Sequence, residues 1–164
     1  MIGAPLLTAL NQQIHAELDS AYLYLAMAAY FEASDLPGFA HWMRAQSEEE
    51  HGHAMKIFDF VNDRDGRVVL QALGQPKSEF ASPLDAVTQA LGNERRVSGL
   101  IHALYAQAVR ENDYATQVLL HWFINEQIEE EKSVDLIIRQ LERIGDDGTG
   151  VLLLDKELGA RASG

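Results

Sequence analysis

The most informative absence in this sequence is cysteine, of which its 164 residues contain none. Without thiolates there is no disulfide, no cysteine-ligated zinc or iron–sulfur cluster and no thiol nucleophile, and nothing points to an oxidising compartment. Apolar runs stop well short of the ~20 residues that a transmembrane helix needs. The first residues show neither the basic nor the apolar part of a secretory signal, so we expect a soluble cytoplasmic protein.

Basic residues are also few, 13 against 25 acidic ones, which gives a formal net charge of −12. Such a surface repels nucleic acid and anionic membranes, so neither is expected as a partner, and it attracts cations. Ordinary solubility explains the same charge equally well. The positions of the acidic residues therefore carry more information than their number.

Turn signals are sparse and well spaced, and they divide the chain into a few long helices. Pro5 can open the first helix, and the segment Ser82-Pro83-Leu84-Asp85 has the form of an N-cap, an N1 proline and a capping-box acid. We predict one all-α domain over residues 1–164, a four-helix bundle with one long crossover, at 64–82, and a short fifth C-terminal helix. The predicted helices are 5–33, 36–63, 83–112, 114–144 and about 150–160.

Each long helix carries an apolar seam at helical spacing that polar residues interrupt near its middle. The polar residues on these seams include Glu17, Gln46, Glu50, His53, Glu94, Ser98, Gln127 and Glu130, and Tyr24 lies on the first seam one heptad after Glu17. A single buried, ionised carboxylate is costly, and four together also repel one another. Two divalent cations would balance four carboxylates, so the pattern predicts a dinuclear metal site inside the bundle.

The spacing of these residues supports one shared site. The same separation of 33 residues occurs twice, from Glu17 to Glu50 and from Glu94 to Gln127. His53 follows Glu50 by three positions, as Glu130 follows Gln127. Residues three apart lie on one helix face about 4.5 Å apart along the axis, so both can reach one metal pair. Oxygen and imidazole ligands suit iron or manganese, whereas zinc would accept them without redox chemistry.

Around these positions the chain resembles the bacterial non-haem ferritins over essentially its whole length. The matching segments are QSEEEHGH at 46–53, WFINEQIEEE at 122–131 and DKEL at 155–158. The resemblance implies a ferritin-like fold and a homo-oligomeric cage, expected to hold 24 subunits, that stores iron. It also implies ferroxidase activity, in which Fe²⁺ is oxidised to Fe³⁺ by O₂ or H₂O₂ and deposited as ferric mineral inside the cage.

The resemblance also assigns residues by position, with two iron ions per subunit. The first iron site matches Glu17, Glu50 and His53, and the second matches Glu94, Glu130 and the bridging Glu50, with Gln127 nearby. A third, cavity-side iron position would use Glu49, Glu126, Glu129 and Glu130, although a solvated acidic stripe explains the first three of these about as well. Tyr24 matches a tyrosine that can hydrogen-bond ligands or supply an electron, although core packing explains a seam tyrosine about as well.

Differences between this sequence and other ferritin-like families make those families a poorer match. Bacterioferritins carry Glu-x-x-His on the fourth helix and bind haem through a methionine at the position of His51, so no haem is expected here. Rubrerythrins need cysteines, and Dps-type mini-ferritins lack the fifth helix. Two other functions remain open: a diiron oxygenase or oxidase with an organic substrate, and a catalytically silent structural subunit. Trp122 and Phe123 are expected to pack in the interior.

Overall fold

Five helices make up the regular structure of the described part of this chain. The computed structural model describes residues 1–162, and within that range no strand occurs. The helices are α1 (Ala4–Ala33), α2 (Pro37–Asp63), α3 (Pro83–Arg110), α4 (Tyr114–Ile144) and α5 (Gly148–Gly159). The predicted all-α bundle is confirmed, with each helix end within two residues of its expected position. No helix in the described range is long and apolar enough to cross a membrane.

Short polar side chains fix where the second pair of helices begins. Ser82 Oγ accepts a hydrogen bond from Asp85 N at 3.1 Å, and Asp85 Oδ2 accepts one from Ala81 N at 2.9 Å. Asp113 Oδ1 accepts from Thr116 N at 2.9 Å at the start of α4. These caps satisfy amides that have no partner inside the helix, so both starts are encoded locally in the sequence.

The crossover 64–82 runs along α1 from one end of the bundle to the other. Near its beginning, Val69 N donates to Asn11 Oδ1 at 2.7 Å. Near its end, the ring of Phe80 packs edge-on against Tyr30, with centroids 5.2 Å apart. Residues 11 and 30 are separated by about 28 Å of helix. The second helix pair therefore starts at the opposite end of the bundle from the point where the first pair stops.

Helix packing leaves one side of the bundle wider than the others. Helix α1 packs against α2 and α3, α3 packs against α4, and α5 packs against α2. By contrast, no Cα atoms of α2 and α4 come within 8 Å of each other in the described chain. These two helices interact through long side chains, as where Gln46 Nε2 donates to Glu130 Oε2, so the space between them is wider than that between the other neighbouring helices.

Two apolar cores fill the bundle and a polar layer separates them. One core contains Phe31, Phe39 and Met43, and the other contains Leu10 and Ile57, all of which are inaccessible to solvent. The sequence expectation of seams that are apolar at both ends is therefore correct.

The expectation that both Trp122 and Phe123 on α4 pack in the interior is correct for one of the two residues. Phe123 is fully buried, whereas Trp122 remains 37% exposed because it faces the gap side of α4.

Candidate metal centre

The polar layer brings together the glutamates and the histidine that interrupt the seams. Glu17, Glu50 and Glu94 have no solvent-accessible surface, and His53 and Glu130 are each 5% exposed. One carboxylate comes from each helix of the bundle, and α2 adds the imidazole. Helical periodicity places them at the same level because each lies in the middle of its own apolar seam.

His53 is shared by two groups of carboxylates, one at each of its ring nitrogens. Its Nδ1 is 3.2 Å from Glu50 Oε2 and 3.9 Å from Glu17 Oε2. Its Nε2 is 3.9 Å from Glu126 Oε1, and Glu130 completes this second group. Within each group the potential ligand atoms lie within 4.8 Å of one another, close enough to hold one metal ion.

Glu94 is oriented by a hydrogen-bond network on the far side of the layer. The Tyr24 hydroxyl donates a short hydrogen bond to Glu94 Oε1. Gln127 Nε2 lies 3.2 Å from Glu94 Oε2 and 3.1 Å from its backbone carbonyl oxygen, and it also donates to Ser98 Oγ. Tyr24 and Gln127 therefore position a carboxylate, and the amide oxygen of Gln127 is left to face the layer.

Two further glutamines hold carboxylates of the site, and the sequence reasoning gave neither a role. Gln13 Nε2 donates to Glu17 Oε1 at 2.9 Å, and Gln46 Nε2 donates to Glu130 Oε2 at 2.7 Å. Gln46 was visible as a polar break in the second seam. Gln13 could have been found because it precedes Glu17 by four positions, which places the two side chains on one helix face.

Burial and mutual repulsion raise the pKa values of the buried acids. Desolvation is the main cause for Glu50, whose pKa lies well above its ordinary value, and the charges of Glu94 and Glu17 add to it. Desolvation also raises the pKa of Glu94, although hydrogen bonds from Tyr24 and Gln127 oppose the rise. For Glu130, desolvation and then the charge of Glu94 raise the pKa to about 8.

The pKa of the Tyr24 hydroxyl is raised as well. Burial, and then the charges of Glu94 and Glu50, hold it well above the ordinary value. The phenol therefore stays protonated and remains a hydrogen-bond donor.

Unpartnered oxygens indicate what the layer can bind. Among the described residues, buried atoms that lack a hydrogen-bond partner include Glu17 Oε2, Glu50 Oε1 and Gln127 Oε1. Buried polar atoms normally have partners, so acceptors without donors in one layer point to a missing electropositive group. Apart from His53, the described layer contains no basic side chain that could fill this role. Oxygen-rich ligands with one imidazole fit two divalent ions of the iron or manganese type.

A small acidic cavity adjoins this layer in the gap between α2 and α4. Its volume is about 200 Å³, and it is lined in part by Glu49, Glu126, Glu129 and Glu130. Glu130 belongs to both the buried layer and the cavity wall, whereas Glu129 is exposed. The sequence did not predict the role of Arg161, whose guanidinium lies against Glu49 in this cavity with Nη2 and Oε2 2.7 Å apart.

This combination of fold and site defines a class of protein. A four-helix bundle with one long crossover, enclosing four glutamates and a histidine, is a carboxylate-rich metal-binding bundle of the ferritin-like kind. Comparison with protein families agrees, because the ferritin family model, described as a ferritin-like domain, matches residues 7–144. The chain therefore belongs to the ferritin family.

Individual relatives match along nearly the full chain. A bacterial non-heme ferritin of Staphylococcus epidermidis is 41% identical over 99% of this chain and 98% of its own length. The Staphylococcus aureus protein of the same name is 40% identical over 98% of this chain and 97% of its own. Among solved structures, an open-pore ferritin from the archaeon Archaeoglobus fulgidus is 48% identical and has a TM-score of 0.98, covering 99% of this chain and all of that one.

Proposed function

We propose that this protein is an iron-storage ferritin that oxidises Fe²⁺ to Fe³⁺ at a dinuclear centre within each subunit. The observation that carries the proposal is the buried layer of four carboxylates and one imidazole, in which oxygens of Glu17 and Glu50 have no partner. Family membership supports iron storage, and the names of the bacterial relatives support the non-haem type.

Each side chain of the layer has a role in this proposal. Glu17 and His53 hold the first Fe²⁺, and Glu94 and Glu130 hold the second. Glu50 is assigned as the bridge because it interacts with both Glu17 and Glu94. Gln127 and Tyr24 orient Glu94. The third cation position uses the carboxylates that line the outer cavity: Glu49, Glu126, Glu129 and Glu130.

The chemistry that this arrangement supports is a two-electron oxidation. Two Fe²⁺ ions each lose one electron, and the pair of electrons with two protons reduces O₂ to H₂O₂, or H₂O₂ to two water molecules. The protein holds both ions at adjacent positions, so a single oxidant molecule receives both electrons at once. Anionic ligands bind Fe³⁺ more strongly than Fe²⁺, so the layer also favours the oxidised product.

The size and lining of the adjoining cavity argue against an oxygenase with an organic substrate. The cavity of about 200 Å³ is bordered by glutamates, and organic ligands favour larger, mainly apolar pockets. Small hydrated cations fit it better. This observation favours iron as the substrate over a larger molecule.

We further propose that single-domain subunits assemble in the cytoplasm into a homo-oligomeric cage of 24. Structural similarity to ferritins supports the oligomer. On α5, Leu152 and Leu153 are 62% and 64% exposed in the isolated subunit. Two adjacent exposed leucines on a short helix are consistent with burial between neighbouring subunits.

An anaerobic Fe²⁺ titration followed by exposure to O₂ tests the proposal. In the wild type, about two Fe²⁺ per subunit should bind and oxidise rapidly, whereas Glu50→Ala, which removes the bridge, should lose this fast phase. Asp59→Ala, which removes an exposed carboxylate from the same helix, is the matched control and should behave as wild type. Equal, slow oxidation in the wild type and in Glu50→Ala would refute the proposed centre.

A further inference from the structure

The docking of the short helix α5 places Arg161 on the metal-binding side of the bundle. Asp155 in α5 is buried, and its Oδ1 accepts a hydrogen bond from Phe39 N at the start of α2 at 2.9 Å. At Gly38, an added Cβ would lie 1.7 Å from the carbonyl oxygen of Asp155. The two helices therefore meet at backbone distance, which fixes the direction in which the chain leaves α5.

Four contacts hold Arg161 in place after α5 has ended. Its Nη2 lies 2.7 Å from Glu49 Oε2, and its Nη1 is 3.4 Å from the carbonyl oxygen of Trp42. The guanidinium lies over the Trp42 ring, 4.9 Å from the ring centroid. His41 Nε2 is 2.7 Å from the carbonyl oxygen of Arg161, so the backbone is anchored as well as the side chain.

The cavity that receives this guanidinium is otherwise acidic. Arg161 supplies the only basic side chain among the described residues that line it, opposite the carboxylates of Glu126 and Glu129 from α4. The inner wall of the cavity is Glu130, which belongs to the metal layer, so the cavity lies directly outside the centre. Arg161 thus occupies the acidic space through which a cation on the α2–α4 side would pass.

We propose that Arg161 is a built-in counter-cation of this cavity, and that it competes with divalent cations for Glu49. This inference rests on the proposed function, since it concerns the third cation position of that site. The guanidinium occupies Oε2 of Glu49 and neutralises its charge, which makes that carboxylate a weaker ligand for a metal ion. A cation that takes this oxygen therefore competes with Arg161, while the inner pair of sites, which Arg161 does not touch, fills without this competition.

The ion pair has the properties that such an exchange requires. The Arg161 and Glu49 side chains are 23% and 37% exposed, and a partly solvated pair of this kind is weak. A dication interacts with the surrounding carboxylates about twice as strongly as a guanidinium at equal distance. Arginine stays charged at every physiological pH, so the competitor is always present. Iron therefore has to reach a higher concentration before it fills the outer position.

Calorimetric titration of the metal-free full-length protein with Zn²⁺, and anaerobically with Fe²⁺, tests this inference without relying on oxidation. Arg161→Gln removes the charge, so binding beyond the two inner ions should tighten by roughly three- to fivefold. The inner two sites should keep their wild-type affinity. Arg161→Lys keeps a cation and should stay near the wild type. Arg139→Gln removes an exposed positive charge that pairs with Asp135 at 2.8 Å, so it controls for net charge.

A second pair of variants tests whether Glu49 is the ligand for which Arg161 and the metal ion compete. In a Glu49→Gln background, Arg161→Gln should no longer change the outer binding step. A crystal structure of the Zn²⁺-loaded wild type should show Arg161 withdrawn from Glu49.

The outcomes separate this inference from the proposed function. If two inner ions bind but Arg161→Gln leaves the outer step unchanged, or Arg139→Gln tightens it equally, competition by Arg161 is refuted and the ferroxidase proposal stands. If the wild type binds no ions at the inner pair of sites, the proposed function itself fails and this inference fails with it.

Discussion

Metal binding to this centre should release protons, and the share that comes from Glu130 can be calculated from its pKa. Burial and the charge of Glu94 raise the pKa of Glu130 to about 8 from 4.5. A carboxyl group with this pKa is about nine-tenths protonated at pH 7 and about one-tenth protonated at pH 9. A metal ligand must be deprotonated, so binding at pH 7 should expel close to one proton from this residue.

The perturbation is Glu130→Gln, which removes this proton while keeping the size of the side chain. Zn²⁺ is the probe because it takes the same ligands and has no redox chemistry. Titration calorimetry in buffers of different ionisation enthalpy gives the number of protons released per subunit. Relative to wild type, the variant should release about one proton fewer at pH 7, and the difference should shrink to about 0.1 at pH 9.

A matched substitution defines the result that would refute this reasoning. Glu142→Gln neutralises an exposed carboxylate on the same helix and should leave proton release unchanged. If Glu130→Gln releases as many protons as wild type at pH 7, Glu130 is already ionised in the metal-free layer. A difference that persists unchanged at pH 9 would equally contradict the raised pKa.

The raised pKa of Glu130 also makes the stability of the metal-free protein fall as the pH rises. A carboxyl whose folded-state pKa is raised stabilises the fold below its unfolded pKa, and this contribution is lost as pH rises through the folded value. For Glu130 the stabilisation is lost between pH 4.5 and about pH 8. Its contribution to the free energy of unfolding is at most about 4–5 kcal/mol per subunit. Metal-free protein should therefore become less stable over this range, and bound metal should reverse the loss.

Three further substitutions test how the centre and the assembly are built. Gln13→Leu removes the donor to Glu17 at 2.9 Å and should weaken Zn²⁺ binding about tenfold in calorimetry, as loss of a ligand-orienting partner generally does. Gly38→Ala places a Cβ against the Asp155 backbone, so α5 should detach and become accessible in limited proteolysis. Leu153→Glu puts a charge on an exposed apolar position and should produce smaller assemblies in native mass spectrometry.

Each of these has a control on the same helix. Gln12→Leu changes an exposed neighbouring side chain and should bind Zn²⁺ as wild type does. Gly52→Ala adds a Cβ that meets nothing within 4 Å, so proteolysis of α5 should not change. Glu157→Ala alters an exposed residue of α5 without adding a charge and should assemble normally. An effect as large in a control as in its partner would contradict the corresponding prediction.

Much of the site was accessible from the sequence because the information that defines it is local. Helix ends depend on nearby residues, as with Ser82, whose side chain caps the amide of Asp85. The inward face of a helix follows from its apolar periodicity, so the sequence could place Glu17 and Glu50 in the interior. Burial of several carboxylates at one level then predicted cations to balance them.

The tertiary structure alone decided which side chains meet across the bundle. Arg161 and Glu49 are 112 positions apart, and no pattern relates them, because their contact depends on how α5 docks against α2. The exposure of Trp122 likewise depends on the wide gap between α2 and α4, which periodicity along one helix cannot reveal. Periodicity fixes the face that a helix turns inward, but the separation of two helices and the path of a chain end follow from packing of the whole molecule.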